Sequence, residues 1–411
     1  MWRLLAVLWV VVVCFATSGS GQTLLHEFRL PGSEQFGDLV GSPGDVNHDG
    51  YADVMVAGSG SCGYLLSASL RVYSGLTGDA LHEFRVFSCN PSAAVGDLDG
   101  DGQAEHLVGS PWFGLGGNGR VDLYSGITGQ RTWIHVGDVP QFDSFGRALA
   151  VVGDVDLDGC ADYLISGSQQ PGFLYSGRTR RPLYPVSHGD AAVAVGDMSG
   201  DRIPDYVITD PVFRASGRLS AGKVDLYSGA DGTLLRTFEG ANANDFFGSS
   251  VAAADLDGDQ VPELVVGIPR RRGLGTAPGD GNGRVEVYSG DSGALLLVIA
   301  GNGHGDRFGH SVAAGGDVDG DGTSDYVVGA PDHPLPGNDR LVYGAVFVYS
   351  GRSNALLFQQ DPTSTGREFG HAVACEGDVD GDGRDDVIVG DPRHSDGGVA
   401  HVFSFDRPLA R

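Results

Sequence analysis

Apolar residues come in short runs of four to six, such as VMVAG at 54–58, LVVGI at 264–268 and YVVGA at 326–330, with no helical period of useful length. Runs of this length, rich in Val, Ile and Leu and bounded by turn residues, predict strands. A further signal follows each run and ends in a turn: RVYSG, VDLYSG, FLYSG, VDLYSG, VEVYSG and VFVYSG. Another comes after it, as in TLLRTF or ALLLVI. With the segment ahead of each run this makes four short strands per unit.

Between the first and second strand signals stands a polar loop that occurs seven times, beginning at Asp45, Asp97, Asp154, Asp197, Asp255, Asp317 and Asp378. The mean spacing is about 55 residues, the size of one four-stranded repeat unit. A lone unit leaves both faces of its sheet exposed, and radial stacking of seven buries them. The expected fold is therefore all-β, a seven-bladed β-propeller. TLLHEFR near the N-terminus matches ALHEFR at 80–85, a fourth-strand segment, whereas the last unit ends at HVFSF without one. Residues 23–30 are thus expected to supply the outer strand of the seventh blade and close the ring, where an open solenoid would leave both edges unprotected.

The loops carry candidate metal chemistry. Positions 1, 3, 5 and 9 hold Asp45, Asn47, Asp49 and Asp53; Asp97, Asp99, Asp101 and Glu105; Asp154, Asp156, Asp158 and Asp162; and Asp197, Ser199, Asp201 and Asp205. The last three copies hold Asp255, Asp257, Asp259 and Glu263; Asp317, Asp319, Asp321 and Asp325; and Asp378, Asp380, Asp382 and Asp386. Such spacing gives the hard oxygen cage that Ca²⁺ prefers, with a position-7 carbonyl and a position-6 glycine for the turn. A strand follows at once and no Glu stands at position 12, so this is a strand-loop-strand site and not an EF-hand. These positions hold 26 of the 53 acids of a chain with formal charge −26. Up to seven Ca²⁺ are expected as folding ligands. Ser199, and Arg202 in place of glycine, predict a weak or absent fourth site; Gln260 in place of glycine lowers the expectation for the fifth. The bland alternative is solvated surface acids.

Residues 1–22, with one Arg and an apolar run from Leu4 to Ala16, have the form of a secretory signal ending near Ala16 or Ser20. That run is shorter than the ~20 residues of a membrane span, although an uncleaved anchor is the competing reading. Residues 23–411 are then a soluble propeller outside the cytoplasm, expected to be a monomer. Beyond the signal lie four cysteines; Cys62 with Cys89 is the preferred bridge, and four free thiols the alternative.

Phe-Gly pairs at 36–37, 145–146, 247–248, 308–309 and 369–370, the acidic loop and VVGAP at 327–331 together resemble the FG-GAP repeats of the integrin α-subunit propeller. The resemblance covers about residues 23–406, although the second and fourth units lack Phe-Gly. It implies seven blades with calcium loops between first and second strands, and Asp317, Asp319, Asp321 and Asp325 as one ligand set. With no leg region or membrane helix after the propeller, the chain is more similar to secreted bacterial-type members than to cell-surface receptors.

In such a meander the 1–2 and 3–4 loops share one face, and the longer 2–3 and 4–1 loops share the other. Arg270, Arg271, Arg272, Trp112, Phe113 and Trp133 are the candidate contacts on that variable face for a protein or carbohydrate partner, since Arg and aromatics are enriched in binding hot spots. Their bland alternative is ordinary solvated or blade-covering side chains. Strong acidity argues against nucleic acid. Gly114, Gly116 and Gly119 match a dinucleotide pattern but precede a strand, no nucleophile-elbow or Walker motif occurs, and the twelve histidines form no ligand set along the sequence. A hydrolase or lyase working at the central channel is the alternative to a binding module.

Overall fold

The structure, a computed structural model, describes residues 22–30, 35–58, 68–86, 92–114, 117–137, 144–167, 171–269, 282–301, 305–335, 338–362, 368–394 and 397–405. Residues 1–21 of the region read as a signal, Cys62, Cys89 and Arg270 to Arg272 lie outside them. Seven antiparallel four-stranded sheets form blades 1 to 7, spanning 36–86, 92–136, 148–186, 191–239, 250–300, 311–360 and, with 22–29, 372–405. One two-stranded hairpin, Pro334–Leu335 with Asn338–Val342, decorates blade 6. Strand Gln22–Arg29 pairs with Val399–Phe405, so the ring is closed by the N-terminal strand as the sequence predicts.

Second strands are the most buried elements, because each one faces both neighbouring blades. In Asp53–Gly58 every residue is buried. Val54 and Val56 pack toward blade 7 with Ile388 and Val402, while Met55 and Ala57 pack toward blade 2 with Val108 and Tyr124. The same division gives seven clusters of buried residues, each shared by two successive blades. An apolar run without alternation is the sequence form of this two-sided burial.

First strands touch their counterparts all round the ring and line its channel, whereas fourth strands form the outer rim and are largely exposed, as in Leu295–Ala300. Phe-Gly joins neighbouring blades at the start of the inner strand. Phe36, Phe247, Phe308 and Phe369 are fully buried. The backbone of each of these phenylalanines lies against a glycine of the preceding blade, where a Cβ would come within 2.0–2.2 Å of the phenylalanine carbonyl at Gly398, Gly222, Gly283 and Gly344. Gly119, the last glycine of the dinucleotide-like pattern, does the same for Phe145 at 2.1 Å. A second latch works at the rim. Outer-strand His26 and His82 bond through Nε2 to the carbonyls of Gly75 and Gly126 in the next blade, at 2.5 and 3.0 Å, and the Tyr184 hydroxyl donates to Gly229 O at 2.5 Å.

Candidate functional site

Each acidic loop runs from the first strand to the second and is organised by its own carboxylates. In all seven copies the position-1 carboxylate accepts the position-6 N–H, from Gly50 to Asp45 at 2.8 Å as from Gly322 to Asp317 at 2.8 Å. The position-5 carboxylate likewise accepts the position-7 N–H in every copy. Positions 4 and 6 are left-handed throughout, including His48 and Leu157 at position 4 and Arg202 and Gln260 at position 6, with φ of 59°, 61°, 73° and 74°. The doubt attached to the non-glycine residues at position 6 is thus answered for backbone shape: copies four and five form the same loop, at the cost of strained residues.

The position-9 acid is buried and brackets two segments. Asp53 accepts the Val46 N–H at 2.8 Å with one oxygen and the Gly75 N–H at 3.1 Å with the other, tying the loop to the turn after the third strand. Asp162, Asp205 and Asp325 repeat this pattern. Burial, followed by smaller pulls from neighbouring acids, raises these groups: Asp53 and Asp162 to about 6, Glu105 and Asp325 to about 7, Asp386 to about 8. The acids are therefore held close at an electrostatic cost that a cation would relieve.

Among the described residues, three carboxylates approach within 4.8 Å of one another in five loops. In copies with Asp at position 9 the trio is positions 1, 3 and 9: Asp154, Asp156 and Asp162; Asp317, Asp319 and Asp325; Asp378, Asp380 and Asp386. With Glu at position 9, the trio is positions 1, 3 and 5: Asp97, Asp99 and Asp101; Asp255, Asp257 and Asp259. The first copy, with Asn47, and the fourth, with Ser199, are outside this set. In the third and sixth copies an arginine after the YSG turn engages the position-5 acid, Arg178 on Asp158 at 3.4 Å and Arg352 on Asp321 at 2.9 Å. An all-oxygen donor set fits a hard divalent cation. So does Asp386 Oδ1, which is buried without a hydrogen-bond partner.

At the other face, a cleft of about 440 Å³ lies where blades 2, 3 and 4 meet. Trp112, 46% exposed, stands on its rim, and Arg147, His188, Asp190 and Asp210 line it. Arg147 Nε donates to Asp190 Oδ1 at 2.9 Å. Burial, together with nearby Asp190, raises the Asp210 carboxyl. Blade 4 is one of the two that lack Phe-Gly, and His188-Gly189 occupies the corresponding entry, followed by Asp190. Of the other aromatic candidates, Phe113 is taken up beneath the Arg120 guanidinium, 4.9 Å from its ring. Trp133 belongs to the outer strand Arg131–Val136, 48% exposed on the rim, and not to the variable face.

At the channel mouth, two histidines that are far apart in the sequence come together from neighbouring blades. His310 and His371 have ring centroids 4.7 Å apart. His371 lies 3.9 Å from both Asp38 and Glu368. The sequence signal was present: both histidines directly follow Phe-Gly.

The FG-GAP repeat model matches residues 90–124 and 247–288. The chain is 33% identical over 222 residues to integrin alpha-5 of Xenopus laevis, covering 50% of this chain and 20% of that protein. Integrin alpha-V of Gallus gallus is 33% identical over 213 residues, 48% of this chain and 19% of that one. The chain thus spans about a fifth of the length of these curated relatives. Among solved structures, BBS1N in complex with ARL6DN, soaked with lead, superposes with a TM-score of 0.61 at 9% identity, covering 95% of this chain and 98% of that one, a likeness of fold alone.

Proposed function

We propose that this chain, an integrin-α-like FG-GAP-repeat propeller, is a secreted or extracytoplasmic calcium-stabilised module that binds a protein or carbohydrate partner through its variable face. Residues 1–22 are its signal and 23–411 its single domain, acting as a monomer, with Cys62 and Cys89 bridged. The observation that carries the binding reading is the cleft at blades 2 to 4, where an exposed aromatic face stands beside an Arg, a His and two carboxylates. Pockets of mostly preformed shape with a few convergent polar groups are the usual ligand sites.

Ca²⁺, when bound, would neutralise the converging carboxylates. Asp154, Asp156 and Asp162, with their equivalents in the sixth and seventh copies, would hold it through positions 1, 3 and 9; Asp97, Asp99 and Asp101, with Asp255, Asp257 and Asp259, through 1, 3 and 5. Asp45, Asn47, Asp49 and Asp53 would form a site of lower charge, and Asp197, Ser199, Asp201 and Asp205 the weakest. The position-9 acids would at the same time keep each loop fastened to its YSG turn.

A screen of glycans and surface proteins, run in Ca²⁺ and in EDTA, tests both halves. The expected result is a partner bound in Ca²⁺ whose affinity falls at least about tenfold on Trp112→Ala, and a melting temperature higher in Ca²⁺ than in EDTA. Unchanged binding by the Trp112→Ala protein would remove the cleft from the proposal, and equal melting temperatures would remove the calcium. A hydrolase or lyase at the central channel has one observation in its favour, the His310, His371, Asp38 and Glu368 cluster. Turnover of a glycan found in the same screen would select that second reading.

A further inference from the structure

We infer that the mouth of the central channel, at the end away from the acidic loops, carries a site for one divalent first-row transition ion, built by His310 and His371 of blades 6 and 7 and Asp38 of blade 1. The three residues share one register. Each follows a Phe-Gly pair, at 36–38, 308–310 and 369–371, and so enters an inner strand at the same point in three successive blades. The backbone repeats too: the Gly309 and Gly370 N–H groups each donate at 3.1 Å to the glycine carbonyl of the second strand in their own blade, Gly329 and Gly390.

The three side chains stand near one another, more loosely than the acidic-loop trios whose ligand atoms lie within 4.8 Å. The two imidazoles lie 4.7 Å apart between centroids, tilted by 52°. His371 Nε2 is 3.9 Å from Asp38 Oδ1. That is too long for a hydrogen bond. Two ligands placed about 2.0–2.1 Å from a tetrahedral ion stand roughly 3.3 Å apart, so a small side-chain rotation closes the gap around an ion. The other ring nitrogen, Nδ1, is buried without a hydrogen-bond partner and has Glu368 Oε2 at 3.9 Å. A carboxylate behind a ligating imidazole is the usual support of a metal-bound histidine. Glu368 is itself anchored, by Arg307 at 3.3 Å and Arg393 at 3.0 Å, with Arg307 forked onto Asp332 at 2.5 and 3.0 Å.

The arginines and acids of this cluster satisfy one another as an ordinary ion-pair network. Such a network gives no account of the buried His371 Nδ1, which lacks a hydrogen-bond partner. Imidazole with carboxylate suits zinc, copper or nickel, whereas Ca²⁺ takes oxygen ligands, so this site is chemically distinct from the seven loops.

The test titrates the full chain with Zn²⁺ by calorimetry, and with Co²⁺ by absorbance, in buffer saturated with Ca²⁺ so that loop chemistry is held constant. One Zn²⁺ per chain is expected, with tetrahedral Co²⁺ bands. His310→Gln and His371→Gln should abolish binding, and Glu368→Gln should weaken it about 10–100-fold. If a histidine variant fails to fold, the near-isosteric Asp38→Asn carries the same test. No Zn²⁺ uptake in saturating Ca²⁺, uptake that Ca²⁺ displaces, or uptake indifferent to His371→Gln and Asp38→Asn would each overturn the site. The calcium reading is judged separately, by melting temperature without Zn²⁺.

Discussion

Buried acids, among them the position-9 residues and Asp391 at the end of the strand Val387–Asp391, and three buried histidines make stability depend on pH in opposite directions. Glu105, Asp325 and Asp391 near 7 and Asp386 near 8 stay protonated in the ion-free fold at pH values where unfolded carboxyls have lost their protons. Their raised values add stability that is full below the ordinary carboxylate range and is lost progressively as pH rises from there through the folded values of about 7 to 8. Burial instead lowers His106, His135 and His401 to about 4. These rings stay neutral while the unfolded chain takes up protons, so stability falls as pH drops from 6.5 toward 4. In EDTA, above the range where the histidines titrate, the melting temperature should therefore fall from pH 6.5 toward pH 8.5. In Ca²⁺, which needs the carboxylates ionised, the optimum should move above pH 7. A melting temperature in EDTA that rises from pH 6.5 to 8.5 would contradict the burial of these acids.

Between elements, the loops form a partial relay. The position-8 N–H of one loop donates to the position-1 carbonyl of the loop before it: Ala161 to Asp97 at 3.0 Å, Asp385 to Asp317 at 3.2 Å and Ala52 to Asp378 at 2.9 Å. Loops six, seven and one are thereby tied in series. At copies four and five position 8 is Pro204 or Pro262, which has no N–H to give. These prolines also show that the loop accepts proline at this position. Ala52→Pro should remove the link between loops seven and one while preserving each loop. The expected outcome is a Ca²⁺ isotherm of lower Hill slope for the variant, with unchanged far-UV circular dichroism. Identical slopes would mean that the loops fill independently.

For the whole molecule, closure depends on strand Gln22–Arg29, which covers the edge of Val399–Phe405. Phe28 joins the cluster shared by blades 7 and 1, and Leu24 packs against the one shared by blades 6 and 7. Deleting residues 22–29 should leave an unpaired edge and expose apolar surface at both seams. The expected result is aggregation, or a melting temperature at least several degrees lower, read by light scattering and calorimetry against the chain beginning at residue 22. A truncated chain as soluble and stable as its parent would mean that the seventh blade holds without its outer strand.

Repetition made the architecture legible in the sequence. Seven acidic loops, seven apolar runs and a displaced fourth-strand segment determine the blade count and the closure, because each unit is local and its companions differ only by register. The loops were legible for the same reason: all ligand candidates of one copy lie within nine residues. Three things required tertiary structure. Arg202 and Gln260 adopt the left-handed turn because neighbouring carboxylate bonds hold it, a strain that residue type alone argues against. Trp112 and Trp133 look alike along the chain, yet the loop after a second strand sends one to the cleft, and the outer strand puts the other on the rim. His310, His371 and Asp38 are separated by up to 333 positions in sequence and meet only because ring closure sets blade 1 beside blade 7. Local pattern determined the blades and their loops; which side chains from different blades share a site was decided by closing the ring.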